Sequence, residues 1–331
     1  MAIDRRSPLR AGMLAMAPIA SRAVASGACP SPDPAPIFSF GLAADIQSAD
    51  KASAGPRHDR DSLAELEHCV DFWNIGNLGF VIQLGELVDK GGIPTLSRMF
   101  STYAKARAEK YNVLGNHDFA ASRDQVMQEL QMPSAYYSFK VRGWRFIVLD
   151  AMNVSVDGGC SKDDPHFLEG QKINSALEKA ASPVAGEWNG AAGEVQRRRL
   201  AHELADASAM AGKVIVFCHI PTLPGSCQPD LLPWDHDEVI KLLDTCPTLV
   251  ACMCGHDHHG GYVRRNGIHD MTFPGMVEHD AGDSSFVIDV HADRWVMRTG
   301  GRQPMAGQRK AFAFRAEAVA SRQRTHGEWH A

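Results

Sequence analysis

The sequence predicts an α/β fold: a mostly parallel sheet with crossover helices, joined by a second, more antiparallel sheet. Two observations predict the class. Short apolar runs alternate with helix-spaced segments as far as residue 114, and several short strand-like runs crowd residues 261–299. A third observation predicts a site. One apolar run after another ends in side chains able to hold a metal, at the strand ends where α/β sheets place their chemistry.

The first core strand is read from Ile37 to Ala44 and ends in Asp45-Ile46-Gln47. Residues 61–75 have helical spacing, with Leu63, Leu66, Val70 and Trp73 on one face. Phe80 to Leu84 is the second strand and runs into Gly85-Glu86-Leu87-Val88-Asp89. Residues 94–110 read as a helix, with Pro94 suited to its first turn. Tyr111 to Leu114 is the third strand, ending in Gly115-Asn116-His117-Asp118. A hairpin spans residues 135–150 and turns at Arg142-Gly143. Residues 153–192 are polar and Gly-rich with one helical patch, the mark of a long insertion. An amphipathic helix covers 193–210. A buried strand at 214–218 ends in His219, and a helix covers 235–243. The apolar run Leu249 to Met253 then leads into Cys254-Gly255-His256-Asp257-His258-His259-Gly260, where two histidines at i and i+2 share one side of an extended segment. Residues 303–331 show no clear period and are read as a tail.

Composition narrows the function. The 331 residues are 44% hydrophobic and 22% charged, as in an ordinary globular protein. A net charge of -5, with no basic tract interleaved with aromatics, argues against nucleic acid as a partner. No apolar run approaches the ~20 residues of a membrane span. The eight cysteines form no CxxC pair, so no disulfide framework is expected. Residues 1–36 carry Arg5-Arg6 ahead of a mildly apolar stretch, small residues and a Pro/Ser linker, which resembles a twin-arginine export signal and would send the protein to the periplasm. The alternative is a basic tail on a cytoplasmic protein.

Taken singly, each strand-end group has an ordinary structural reading. Asp45 could cap a helix, Asn116 could hold a turn, and His219 could be a satisfied core histidine. Five strand ends carrying such groups argue together for a metal centre. A mixed oxygen and nitrogen set of this size exceeds one tetrahedral zinc and suits two metals sharing a carboxylate. Such a pair activates a bridging water and clamps a phosphate for in-line displacement.

The order D-x-(H/Q), G-D-x-x-D, G-N-H-(D/E), H, G-H-x-H resembles the signature of calcineurin-like metallophosphoesterases. It stands here as Asp45-Ile46-Gln47, Gly85 to Asp89, Gly115 to Asp118, His219 and Gly255 to His258. The chain is most similar to the manganese-dependent ADP-ribose/CDP-alcohol diphosphatase branch, in Phe38-Ser39-Phe40-Gly41, Gln47, Arg145 to Ala151, Trp188-Asn189-Gly190, His258 to Tyr262 and Gly300-Gly301-Arg302. The resemblance implies a four-layer αββα sandwich of two mixed β-sheets across residues 37–302. It implies two divalent ions, manganese first and iron or zinc otherwise. Asp45, Gln47, Glu86 and His258 would hold one, and Glu86, Asn116, His219 and His256 the other. His117 would act on the leaving oxygen, and a metal-bound hydroxide would attack phosphorus. Asp89 and Asp118 would orient the ligands. The implied reaction is cleavage of the diphosphate bond of ADP-ribose or CDP-alcohols by a monomer acting on small molecules. The alternatives are a phosphomonoesterase or cyclic-nucleotide phosphodiesterase on the same scaffold, or a binding module with weak turnover. Glu86 is the departure, because the family pattern has aspartate there. Asn189, Gly190 and Tyr262, with Phe119 and Trp188, are the expected substrate contacts.

Overall fold

Phe38, Phe40 and Leu42 alternate with Ser39, Gly41 and Ala43, so strand β1 (Phe38–Ala43) presents large side chains on one face and small ones on the other. The computed structural model describes residues 34–278, 285–300 and 309–314. In it β1 lies parallel to β2 (Phe80–Gln83), which lies parallel to β3 (Glu109–Asn112). Two later strands, β10 (Ser285–Val290) and β11 (Arg294–Gly300), extend this sheet antiparallel on the far side of β1, and β12 (Arg309–Ala313) completes it. The second sheet runs β4 (Tyr137–Val141), β5 (Trp144–Val148), β6 (Val214–Phe217), β7 (Leu249–Cys254), β9 (Ile268–Thr272), β8 (Gly261–Arg265). Its four inner strands are parallel and its two edges antiparallel.

The large faces of the sheets meet. Phe40 stacks on Phe80 at 4.7 Å between ring centroids, Phe80 meets Phe146 edge-on at 4.9 Å, and Phe40 meets Phe217 at 6.0 Å. Such aromatic pairs add about 0.5–1.5 kcal/mol each beyond their burial. The small faces receive helices. Trp73 of α1 (Ser62–Ile75) lies against Gly41, where an added Cβ would come within 2.6 Å of the indole. Its Nε1 donates to the Phe286 carbonyl at 3.1 Å. Helix α5 (Gly193–Ala209) buries Leu200 and Leu204 in the core layer that contains Ile147 and Val216. The result is the αββα sandwich of two mixed sheets, in which each strand that carries an expected ligand delivers it from its carboxyl end.

Four expectations change. The helix expected over 94–110 is α2 (Gly92–Tyr103), and β3 begins at Glu109 rather than Tyr111, because Tyr103 hydrogen-bonds the Val81 and Tyr111 carbonyls and the chain turns back there. The short helix α3 (Arg123–Glu129), opened by a Ser122/Gln125 capping box, was not anticipated. The strands after residue 261 do not form a sheet of their own: β8 and β9 join one sheet, β10 and β11 the other. The segment read as a tail contributes β12, whose Phe312 stacks on Trp295 at 4.0 Å. Within the insertion, Pro165–Lys179 forms helix α4. The hairpin turns as expected, with positive φ at both Arg142 (50°) and Gly143 (84°), the requirement of a type I′ turn. Seven free cysteines lie among the described residues. No helix among them is long and apolar enough to cross a membrane. The export-signal reading falls almost wholly outside the described residues.

Asp270 on β9 is buried and accepts a hydrogen bond from Thr222 Oγ1 at 2.7 Å. Burial pushes its carboxyl up from 3.8 to about 6. The folded state therefore binds this proton more tightly than the unfolded chain. The residue's contribution is most favourable below about pH 4 and is lost as pH rises toward 6, a swing of about 3 kcal/mol. Asp270→Asn is expected to gain stability over the parent across that window by up to this amount, read from urea unfolding at successive pH values.

Candidate metal centre

The strand-end loops adopt conformations that side chains ordinarily avoid. Asp45 (φ 50°), Gln47 (48°), Glu86 (62°) and His256 (70°) all lie in the left-handed region. Each such residue costs about 1–3 kcal/mol unless its surroundings hold it. Here the loops hold one another. Gln47 N donates to the Glu86 carbonyl at 2.8 Å, and His256 N donates to both Asp45 carboxylate oxygens at 3.0 and 3.1 Å. Asp118, in the 3-10 turn Asn116–Asp118, accepts from the backbone of Gly115, Glu86 and Leu87, each at 2.9 Å. Its carboxyl is nonetheless pushed up to about 6 by burial.

These loops bring the expected ligands together in two groups. Glu86, His219 and His256 offer ligand atoms within 4.8 Å of one another, and so do Asp45, Glu86 and His258. Glu86 belongs to both. Its Oε1 lies 3.0 Å from His219 Nε2, and its Oε2 lies 4.0 Å from His258 Nε2. Asn116 Oδ1 stands 3.2 Å from His219 Nε2, and Asp45 Oδ1 stands 3.6 Å from His258 Nε2. Gln47 donates from its amide to Glu86 Oε2 and accepts at its oxygen from Arg57. Glu86 Cγ packs directly on Gly115, where a Cβ would sit 2.5 Å away.

The donor chemistry fits a pair of divalent cations. His256 Nε2 is buried with no hydrogen-bond partner among the described residues, and burial, with His219 beside it, depresses the imidazole to about 3, so it is neutral and ready to ligate. Burial raises Asp45. Burial also opposes the charge on Glu86, but His219 and His258 outweigh it and hold that carboxylate well below its usual range. The ring nitrogens turned away from the groups are engaged too. His219 Nδ1 donates to the Leu84 carbonyl at 2.8 Å, which leaves Nε2 as the ligand atom, and His258 Nδ1 lies 3.2 Å from Glu278 Oε1.

His117 stands beside the groups, its Nδ1 at 2.5 Å from Asp89 Oδ1. Asp89 also meets Lys51 and Arg57. Burial works against the Asp89 carboxylate, but His117 and Lys51 hold it well below the ordinary range. Burial likewise opposes the His117 proton, and the bond to Asp89 and the charge of Glu86 raise it.

The residues expected to contact substrate each have partners within the protein. Asn189 is fully buried; its Nδ2 donates to the Val184 and Asp230 carbonyls at 3.0 and 2.7 Å, and its Oδ1 has no hydrogen-bond partner among the described residues. Gly190 packs where a Cβ would strike the Ala151 carbonyl at 2.5 Å. Both brace the insertion. Tyr262 bonds His269 Nδ1 at 2.9 Å and packs on Phe312, committing it to the contact with β12. Phe119 lies under the Arg123 guanidinium, and half-exposed Trp188 donates to the Asp230 carbonyl. An open cleft of about 370 Å³ adjoins the His256–His258 loop instead, lined by Ser226, Cys227, Gln228, Asp257 and His259. Sequence reasoning missed Lys51, Arg57 and Glu278, which lie outside any periodic segment.

A protein-family model described as calcineurin-like phosphoesterase matches residues 38–260. The chain is 32% identical over 290 residues to a manganese-dependent ADP-ribose/CDP-alcohol diphosphatase of Arabidopsis thaliana, covering 78% of this chain and 93% of the relative. It is 32% identical over 306 residues to one of the same name from Oryza sativa subsp. japonica, covering 83% and 95%. A solved dimetal phosphatase from Danio rerio shares the fold with a TM-score of 0.76 at 24% identity, covering 85% of this chain and all of that one.

Glu278 is the test of how the imidazoles are oriented. Glu278→Gln is expected to weaken manganese binding by about 10- to 100-fold, measured by calorimetric titration, with the fold kept.

Proposed function

The chain belongs to the calcineurin-like phosphoesterases, metal-dependent hydrolases, and we propose that it cleaves the diphosphate bond of nucleoside-diphosphate-linked compounds, ADP-ribose and CDP-alcohols, with manganese. The products are a nucleoside monophosphate and a phosphorylated sugar or alcohol. Support for the substrate comes from the name shared by the relatives at 32% identity. The observation that carries the chemistry is the pair of ligand groups joined by Glu86.

In this reading Asp45, Gln47, Glu86 and His258 hold one ion, and Glu86, Asn116, His219 and His256 hold the other. When bound, two divalent cations supply Lewis acidity to a phosphoryl group and acidify water. The chain supplies the rest. Asp89 fixes His117 through Nδ1, so Nε2 is the nitrogen left to meet the substrate. As water adds to phosphorus and the bond from phosphorus to the bridging oxygen breaks, a proton on His117 Nε2 passes to the leaving phosphate oxygen. Asp118 holds the Glu86 and Gly115 backbones while charge redistributes. The cleft beside His259 has the volume to receive the group beyond the scissile phosphate.

The test is a panel of ADP-ribose, CDP-choline, CDP-glycerol, p-nitrophenyl phosphate and cyclic AMP, each with manganese, iron or cobalt. AMP and CMP release are expected, with kcat lowered about 10²- to 10⁴-fold in His117→Ala. Product no greater than in that variant, with every metal, would overturn the proposal. Glu86→Asp withdraws the shared carboxylate by one methylene from Gly115. Turnover at saturating manganese is expected to fall by about 10- to 100-fold, a misplacement of ~1 Å being enough for such a loss.

A further inference from the structure

The insertion carries a second set of ligand side chains that the proposed reaction does not use. Cys160, Asp164 and His166 stand in the stretch leading into α4, and their ligand atoms all lie within 4.8 Å of one another. We propose that these three residues form a further cation site, selective for a zinc-like ion, which clips the insertion beside the phosphoesterase centre.

The geometry is close to what such an ion requires. Tetrahedral zinc with bonds of about 2.0–2.3 Å sets its ligand atoms roughly 3.3–3.8 Å apart. Asp164 Oδ1 and His166 Nδ1 are 3.8 Å apart. The backbone that carries them is already held. Asp164 is the N-cap of α4 and accepts from His166 N at 2.8 Å, and Pro165 stands in the first turn. One ordered turn therefore presents three donors of three kinds in the pattern C-x3-D-x-H, and closing them onto an ion needs side-chain rotation alone.

Charge favours a dication. Ligation makes Cys160 a thiolate beside the Asp164 carboxylate. Arg123 hydrogen-bonds the Cys160 thiol and so favours the thiolate, while part of its own charge is answered by Asp150, the Gly158 carbonyl at 2.8 Å and the Met152 carbonyl at 2.6 Å. Asp163 is engaged by Ser161 Oγ at 2.6 Å. Asp164 and His166 are part-exposed, so an ion can enter from solvent and keep water as its fourth ligand. Donor softness separates this site from the dinuclear one. Thiolate with imidazole and carboxylate suits zinc, whereas the Glu86 groups contain no sulfur.

The location gives the site a purpose. Arg123 N donates to the Gly159 carbonyl at 2.9 Å, Lys90 Nζ pairs with Asp157 at 2.9 Å, and Lys90 N donates to the His117 carbonyl at 3.0 Å. A cation at Cys160 would therefore stiffen the segment that leans on His117.

The test titrates Co²⁺ into the full chain with its thiols reduced. A thiolate-to-cobalt charge-transfer band in the near ultraviolet is expected. It should be lost in Cys160→Ser, weakened in His166→Ala, and bleached by Zn²⁺, while thermal melting of the cobalt-free variants matches the parent. Elemental analysis after zinc loading should show one equivalent lost in Cys160→Ser. Absence of the band in the parent overturns the proposal, as does a band or zinc content that survives Cys160→Ser.

Discussion

One buried carboxylate ties the centre together. Glu86 offers one oxygen to His219 and the other to the side of His258, and it is the one residue that the two ligand groups share. Burying such a group is unfavourable unless opposite charge answers it. Within the protein the answer comes from imidazoles that are themselves ligand candidates. The same field that would draw protons onto His219 and His258 draws divalent cations, so the site is built to be satisfied by ions rather than by its own side chains. Asp45 adds a second buried carboxylate to the same field.

The sandwich makes that arrangement affordable. Parallel strands from both sheets deliver their ends to one place, and the ends interlock before any ion is considered. Asp118 ties the loops after β2 and β3 through three backbone donors, and Asp45 ties the loop after β1 to the loop after β7. Four left-handed residues are held in this way. Their side chains are thereby aimed inward with little freedom left to lose, which is the preorganisation that a metal site with exacting geometry needs.

Much of this was legible in the sequence, for a physical reason. A strand buried on both faces reads as an unbroken apolar run, so the polar residue that ends it stands out. Asp45, Glu86, Asn116, His219, His256 and His258 were found in that way, and the structure draws them together. What was not legible lacks a period. Glu278 reaches back to His258 from the irregular stretch that follows the β8–β9 hairpin, and Lys51 and Arg57 stand in a segment without regular structure. Helix α3 is too short to show a face, and its capping box was its one signal. Phe312 within β12 and Phe314 just after it alternate with Ala311 and Ala313, a pattern too brief to separate from a tail. The burial of Asn189, whose Nδ2 braces the loop through the Val184 and Asp230 carbonyls, has no signature in a Gly-rich stretch without a period.

The glutamate at position 86 shows how a departure from a family pattern can be absorbed. A longer side chain needs space for a methylene and a backbone that points the carboxylate correctly. Gly115 keeps the neighbouring backbone clear of the side chain's first atoms, since a Cβ there would sit 2.5 Å from Glu86 Cγ, and the left-handed turn at Glu86 supplies the direction. Charge is conserved by the exchange. With Asp45 and Glu86 as the two anions among seven proposed ligands, a pair of dications leaves an excess of about two positive charges in the site, a sum that must include the ions themselves. That excess suits the anionic oxygens of a diphosphate better than a neutral ester. Lys51 and Arg57 add less to it than their charges suggest, because Asp89 already draws on both. The preference for an anionic substrate therefore arises in the ligand set itself, where one methylene more or less changes distance but not sign.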